Sequence, residues 1–134
     1  MQTLVVAQQP PLARSAVLIV DDEPDIRDTL KDLLESILGI PVRTAASGAL
    51  ALEMLRRPDP AFGLILSDLR MPGMDGLEFL AQAGRLAPGV ARYVVTAYED
   101  GGVQAQGMPV LHKPFDIEQL LGVVRTALGL APAS

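Results

Sequence analysis

The stretch Leu64-Ile65-Leu66-Ser67-Asp68-Leu69-Arg70-Met71-Pro72-Gly73-Met74-Asp75-Gly76 decides the fold of this 134-residue chain. It opens as a short apolar run, the pattern of a buried strand. Asp68 stands where the run stops, and Pro72, Gly73 and Gly76 then turn the chain into a loop. In a parallel α/β sheet, the carboxyl ends of the strands, where loops leave, form the binding edge. Asp68 is therefore placed as a reactive group on that edge.

The same pattern extends in both directions. Upstream, Ala16-Val17-Leu18-Ile19-Val20 is a continuous apolar run, as expected of a central parallel strand buried on both faces. It ends in Asp21-Asp22-Glu23-Pro24, where Pro24 and the acids suit a helix N-terminus. Ile26, Leu30, Leu33, Leu34, Ile37 and Leu38 then mark one buried helical face, and Gly39 ends that helix. A second strand is expected over 40–45. A helix over 48–57 follows, capped by Ser47, with Leu50, Leu52, Met54 and Leu55 apolar. The third strand covers 64–67 and a third helix 77–86. The fourth strand, 92–96, stops at Thr96.

A short fifth strand, Val110-Leu111-His112, runs into Lys113-Pro114-Phe115. Asp116 can cap a last helix with Ile117, Leu120, Leu121, Val124 and Leu128 on one face. Five alternations of strand and helix, with one interruption, predict an α/β fold with a doubly wound five-stranded parallel sheet. The interruption lies between Thr96 and Val110, where only thirteen residues intervene. The crossover helix there, around 103–106, is expected to be short, distorted or absent.

Composition narrows the function. Hydrophobic residues make up 49% and aromatics 4%, so the core is aliphatic. There is no cysteine, which excludes disulfides and cysteine–metal chemistry and favours a reducing cytoplasm. A net charge of −5 without a basic cluster argues against nucleic-acid binding by this segment. No apolar stretch reaches the roughly 18–20 residues that span a membrane. Leu4-Val5-Val6-Ala7 has no basic region before it, which argues against a secretory signal. Residues 1–15 are expected to form a flexible arm, 16–130 one domain and 131–134 a loose tail.

Four strand ends deliver polar residues to one edge: Asp21 and Asp22 from the first, Asp68 from the third, Thr96 from the fourth and Lys113 from the fifth. Three crowded carboxylates repel one another, and a divalent cation relieves them. Hard oxygen donors without cysteine or clustered histidine point to Mg²⁺. With the Lys113 ammonium and the Thr96 hydroxyl, they make a site for a phosphoryl group. A central carboxylate can itself be the nucleophile and become an aspartyl phosphate.

These residues resemble the receiver domain of bacterial two-component response regulators, which has a flavodoxin-like, CheY-like fold. The resemblance rests on Val20-Asp21-Asp22-Glu23-Pro24, Ser67 to Gly76, Thr96-Ala97 and Lys113-Pro114-Phe115. They stand in the family's order and near its spacing, over about 17–128. It implies that Asp68 accepts a phosphoryl group from a phosphohistidine on a sensor histidine kinase or phosphotransfer protein. Asp22, Asp68 and the Arg70 backbone carbonyl would hold Mg²⁺, and Asp21 would act largely through water. Thr96 would move toward the phosphoryl group and Lys113 would pair with it, across a cis Lys113–Pro114 bond. The side chains of Arg70 and Tyr98 would flank the phosphoryl group and slow its hydrolysis. A homodimer is among the partners the resemblance allows.

The chain departs from the family at Val110, where an aromatic ring usually swings inward on phosphorylation. Tyr98 is the nearby aromatic that could substitute. A second function therefore stands beside the first: a receiver-like scaffold that works by protein contact with little regulated phosphorylation. An aspartate-nucleophile phosphatase is disfavoured, because the second acid expected two residues after Asp68 is Arg70. Taken singly, Asp21 and Asp22 could cap a helix, Asp75 and Gly76 could start one, and His112, Met71 and Phe115 could simply pack or face solvent.

Overall fold

A computed structural model of the chain describes residues 15–58, 60–97 and 107–130. Among them are β1 (Ala16–Val20), α1 (Pro24–Leu38), β2 (Val42–Ala45), α2 (Gly48–Leu55) and β3 (Phe62–Asp68). These are followed by α3 (Gly76–Leu86), β4 (Ala91–Thr96), β5 (Val110–His112) and a final helix, α4 (Ile117–Leu128). The strands form one five-stranded sheet in the order β2-β1-β3-β4-β5, and all four pairings are parallel. The doubly wound sheet expected from the sequence is thus present. Residues 1–14 of the 1–15 arm, the crossover around 103–106, Tyr98 and the tail at 131–134 lie outside the described residues.

The sheet separates two apolar clusters. Ala16, Leu18 and Val20 of β1 face one cluster, which takes in Ala51, Leu52, Phe79, Leu80 and Ala83 from α2 and α3. Val17 and Ile19 face the other, with Leu30 and Leu34 of α1 and Leu120, Leu121 and Val124 of α4. Strand side chains alternate between faces, so a strand covered by helices on both sides must be apolar at every position. That is why β1 is buried from end to end.

β3 starts two residues earlier than expected and contains a bulge. The pairing moves from Ala16↔Phe62 to Val17↔Leu64, which leaves Gly63 as the extra residue. Strict alternation would send Phe62 and Ile65 to opposite faces. The inserted residue puts both in the same cluster.

The helices correct three expectations. Ile37 is 47% exposed. The contact line of α1 follows Ile26, Leu30, Leu34 and Leu38, each four residues on, and this line drifts round the helix away from Ile37. In α2, Leu50 is 54% exposed, and Gly48, Ala51 and Leu52 form the buried face; the helix stops at Leu55 rather than 57. Ile117 is exposed at the first turn of α4, where it lies a full turn before the buried pair Leu120 and Leu121.

Caps fall where the sequence places them. Ser47 accepts from the Leu50 amide, and Asp116 and Gln119 form a reciprocal capping box. Asp75 caps α3 by accepting from the Glu78 amide at 2.8 Å, so Gly76 is the first helical residue.

Candidate functional site

The register brings four strand ends together. Val20 pairs with Ser67, so Asp21 and Asp68 follow on adjacent strands. Asp68 pairs with Val95, which puts Thr96 one step beyond it. Thr96 pairs with His112, and the Lys113 amide donates to the Thr96 carbonyl at 2.8 Å. β1 and β3 flank the point where the strand order reverses, the usual position of a ligand crevice in such sheets.

Asp21, Asp22 and Asp68 each offer a carboxylate oxygen, and these atoms lie within 4.8 Å of one another. The Lys113 Nζ stands 3.9 Å from Asp21 Oδ2. Thr96 is buried at the end of β4. Arg70 is exposed in the loop after Asp68, and His112 is exposed on β5. Met71 is buried and Phe115 half-buried, both as packing residues.

Asp21 is tied down on three sides. Its amide donates to the Ala45 carbonyl at 3.1 Å, and its Oδ1 accepts from the Glu23 amide at 2.9 Å. Its carbonyl accepts from Arg27 Nη1 at 2.7 Å. The N-cap of α1 is Glu23, not either aspartate, and it makes no side-chain cap. Asp68 Oδ1 accepts from the Leu69 amide at 2.8 Å, and the Ser67 hydroxyl donates to the Asp68 carbonyl at 2.9 Å.

Burial pushes the pKa of Asp21 up, and the negative charges of Asp68 and Asp22 add to the rise. The Glu23 amide and Lys113 oppose it. Asp68 is also raised, first by burial and then by Asp22, against the pull of Lys113 and the amides of Leu69 and Arg70. Two of the three carboxylates are thus held in a state that penalises their charge, and one ammonium serves both.

This donor set fits a hard divalent cation such as Mg²⁺: oxygen atoms only, excess negative charge and an open side where Asp22 is exposed. Such an ion would relieve the repulsion that Lys113 only partly offsets.

Residues 17–125 match the family model of the response regulator receiver domain. The chain belongs to that family. It is therefore a receiver domain of the kind found in two-component response regulators. The transcriptional regulator NtrC of Escherichia coli is 35% identical over 122 residues, covering 87% of this chain and 25% of NtrC. TodT, a response regulator protein of Pseudomonas putida, is 32% identical over 123 residues, covering 88% of this chain and 53% of TodT. This receiver thus spans about a quarter to a half of the curated relatives it matches. Among solved structures, CheY4 of Vibrio cholerae superposes with a TM-score of 0.76 at 30% identity, covering 86% of this chain and 99% of that one. The receiver domain of the hybrid histidine kinase CckA gives 0.72 at 31% identity, covering 84% and 98%. The Lys113–Pro114 bond is cis in this receiver, as the resemblance implies.

Sequence reasoning missed Arg27, the Ser67 hydroxyl and Gly76, where an added Cβ would meet the Asp68 carbonyl oxygen. One signal pointed to Arg27: a cation near a helix N-terminus opposes the helix dipole and calls for a reason. Ser67 reads only as a strand residue of the motif, and a lone serine there does not announce the hydrogen bond its hydroxyl makes to the Asp68 carbonyl.

Proposed function

We propose that this receiver is a phosphoacceptor: Asp68 takes a phosphoryl group from a phosphohistidine on a sensor histidine kinase or phosphotransfer protein. An Asp68 carboxylate oxygen bonds to phosphorus as the donor's phosphorus–nitrogen bond breaks, and that electron pair returns to the imidazole. The observation that carries the reading is the meeting of three carboxylates within 4.8 Å beside the Lys113 ammonium. Lys113 is placed to answer charge on the transferred group, and the Thr96 hydroxyl is a donor at the adjacent strand end. Asp22, Asp68 and the Arg70 carbonyl would hold Mg²⁺, with Asp21 acting through water; when bound, the ion supplies charge neutralisation for phosphoryl oxygens. Arg70 and Tyr98 would shield the phosphoryl group from water. The receiver would comprise 16–130, between an arm and a tail, and work in the cytoplasm, where its donors are.

Incubation with acetyl phosphate and Mg²⁺, followed by intact mass measurement, tests this. The mass should rise by one phosphoryl group, and the rise should vanish in Asp68→Ala. Phosphate loss should speed up in Arg70→Ala and Tyr98→Ala; unchanged rates remove the shielding role.

Val110 favours a second reading. It is half-buried against the cluster under α2 and α3, where it offers no ring to swing. A scaffold that signals by contact would take up no phosphoryl group in the same assay.

A further inference from the structure

We propose that Arg27 is a positioning residue of the acidic site, acting through the peptide that joins Asp21 to Asp22. The inference rests on the reading of Asp21, Asp22 and Asp68 as a cation site. Asp22 is exposed, so burial does not hold its carboxylate. What can hold it is the peptide plane it shares with Asp21. The carbonyl of that peptide accepts from Arg27 Nη1 at 2.7 Å, a reach of six residues back from the first turn of α1.

The usual device for fixing such a turn is missing. Glu23 makes no side-chain cap hydrogen bond. Pro24, at the first helical position, has no amide hydrogen to anchor the loop. Its neighbour's amide is already spent on Asp21 Oδ1. Arg27 therefore ties this turn from the carbonyl side, donating to the Asp21 carbonyl where a cap would accept from a helix amide.

Its position is costly unless it is used. A cation in the first turns of a helix faces the positive end of the dipole. The contact with a carbonyl recovers that loss, since a charged donor makes the stronger kind of hydrogen bond. The side chain is half-buried and lines a groove together with Thr44 and Ala45 of β2 and Glu53 of α2. Ala45 in turn accepts from the Asp21 amide. Both sides of Asp21 are thus tied to the same corner of the fold.

The test is a Mg²⁺ titration without phosphodonor, following the Asp22 and Glu23 amides by nuclear magnetic resonance. Arg27→Met keeps the apolar stem and removes the donor, and should weaken Mg²⁺ binding by about tenfold. Arg27→Lys keeps a donor and should recover most of that loss. With acetyl phosphate, the Mg²⁺ concentration for half-maximal rate should rise in Arg27→Met, while the rate at saturating Mg²⁺ stays within about twofold of wild type. Wild-type affinity in a folded Arg27→Met overturns the inference, as does a loss of maximal rate at unchanged affinity. Should Arg27→Met fail to fold, Arg27→Gln, too short to reach the carbonyl, takes its place. If the wild-type protein binds no Mg²⁺, the cation-site reading fails and this inference falls with it.

Discussion

A Cβ at Gly76 would collide with the Asp68 carbonyl oxygen and lie 2.9 Å from Leu69 Cα. Both are backbone atoms at or next to Asp68, the proposed phosphoacceptor, so nothing there can step aside. Gly76→Ala should cost about 3 kcal/mol and slow phosphoryl uptake. At Gly84 the obstacle is the Arg92 guanidinium, 2.7 Å away at Cζ, the far end of a flexible side chain. Arg92 would lose its 2.8 Å hydrogen bond to the Leu80 carbonyl. The helix would gain about 1 kcal/mol from alanine, so Gly84→Ala should stay within about 1 kcal/mol of wild type. Thermal denaturation of the two variants checks the contrast. The carboxylates carry a pH prediction. The pKa values of Asp21 and Asp68 are raised above 3.8 in the fold by burial and like charge, so the native state holds more protons than the unfolded chain. Their contribution to stability therefore falls as pH rises from that value through the raised ones, and stays low above. In the absence of divalent cations, Asp68→Asn should raise the melting temperature at neutral pH and flatten its decline with pH. An unchanged melting temperature would mean that the crowding carries no free-energy cost.

The elements were legible to the extent that their signals are local. The Ser47 and Asp116 caps and the Gly39 stop depend on residues within one turn, and each stands where expected. Helix faces were less legible. Ile37 and Leu34 have the same apolar character, yet one is 47% exposed and the other fully buried. The difference comes from how α1 lies across the sheet, which its own sequence does not contain. Leu34→Ala should cost about 2–5 kcal/mol, because it empties a packed site. Ile37→Ala should cost no more than about 0.5 kcal/mol. Denaturant midpoints of the two variants measure this; equal costs would contradict the contact line.

At the scale of the whole molecule, the acidic corner joins residues 47 positions apart, Asp21 and Asp68, and a lysine a further 45 away. The fold holds these charges together at a cost, so a cation that binds them should stabilise the entire domain. At a Mg²⁺ concentration one hundred times the dissociation constant, the gain is about 2.7 kcal/mol. The melting temperature should therefore climb with added Mg²⁺ and return to its starting value with a chelator. Asp22→Asn should blunt the climb. No rise in the wild-type protein would remove the cation from the proposed mechanism.

Apolar runs, turn residues and caps sufficed to read five strands, their flanking helices and the acids at their ends, because alternation, helical spacing and capping act over a few residues. Which strands became neighbours was settled by packing: β1 and β3 lie side by side because both can be buried on two faces, and that adjacency brings Asp21 and Asp22 to Asp68. The bulge at Gly63 and the drift of the α1 contact line were likewise decided only in three dimensions. Each depends on surfaces that meet after the chain has closed, and their energies belong to pairs of distant segments rather than to either one.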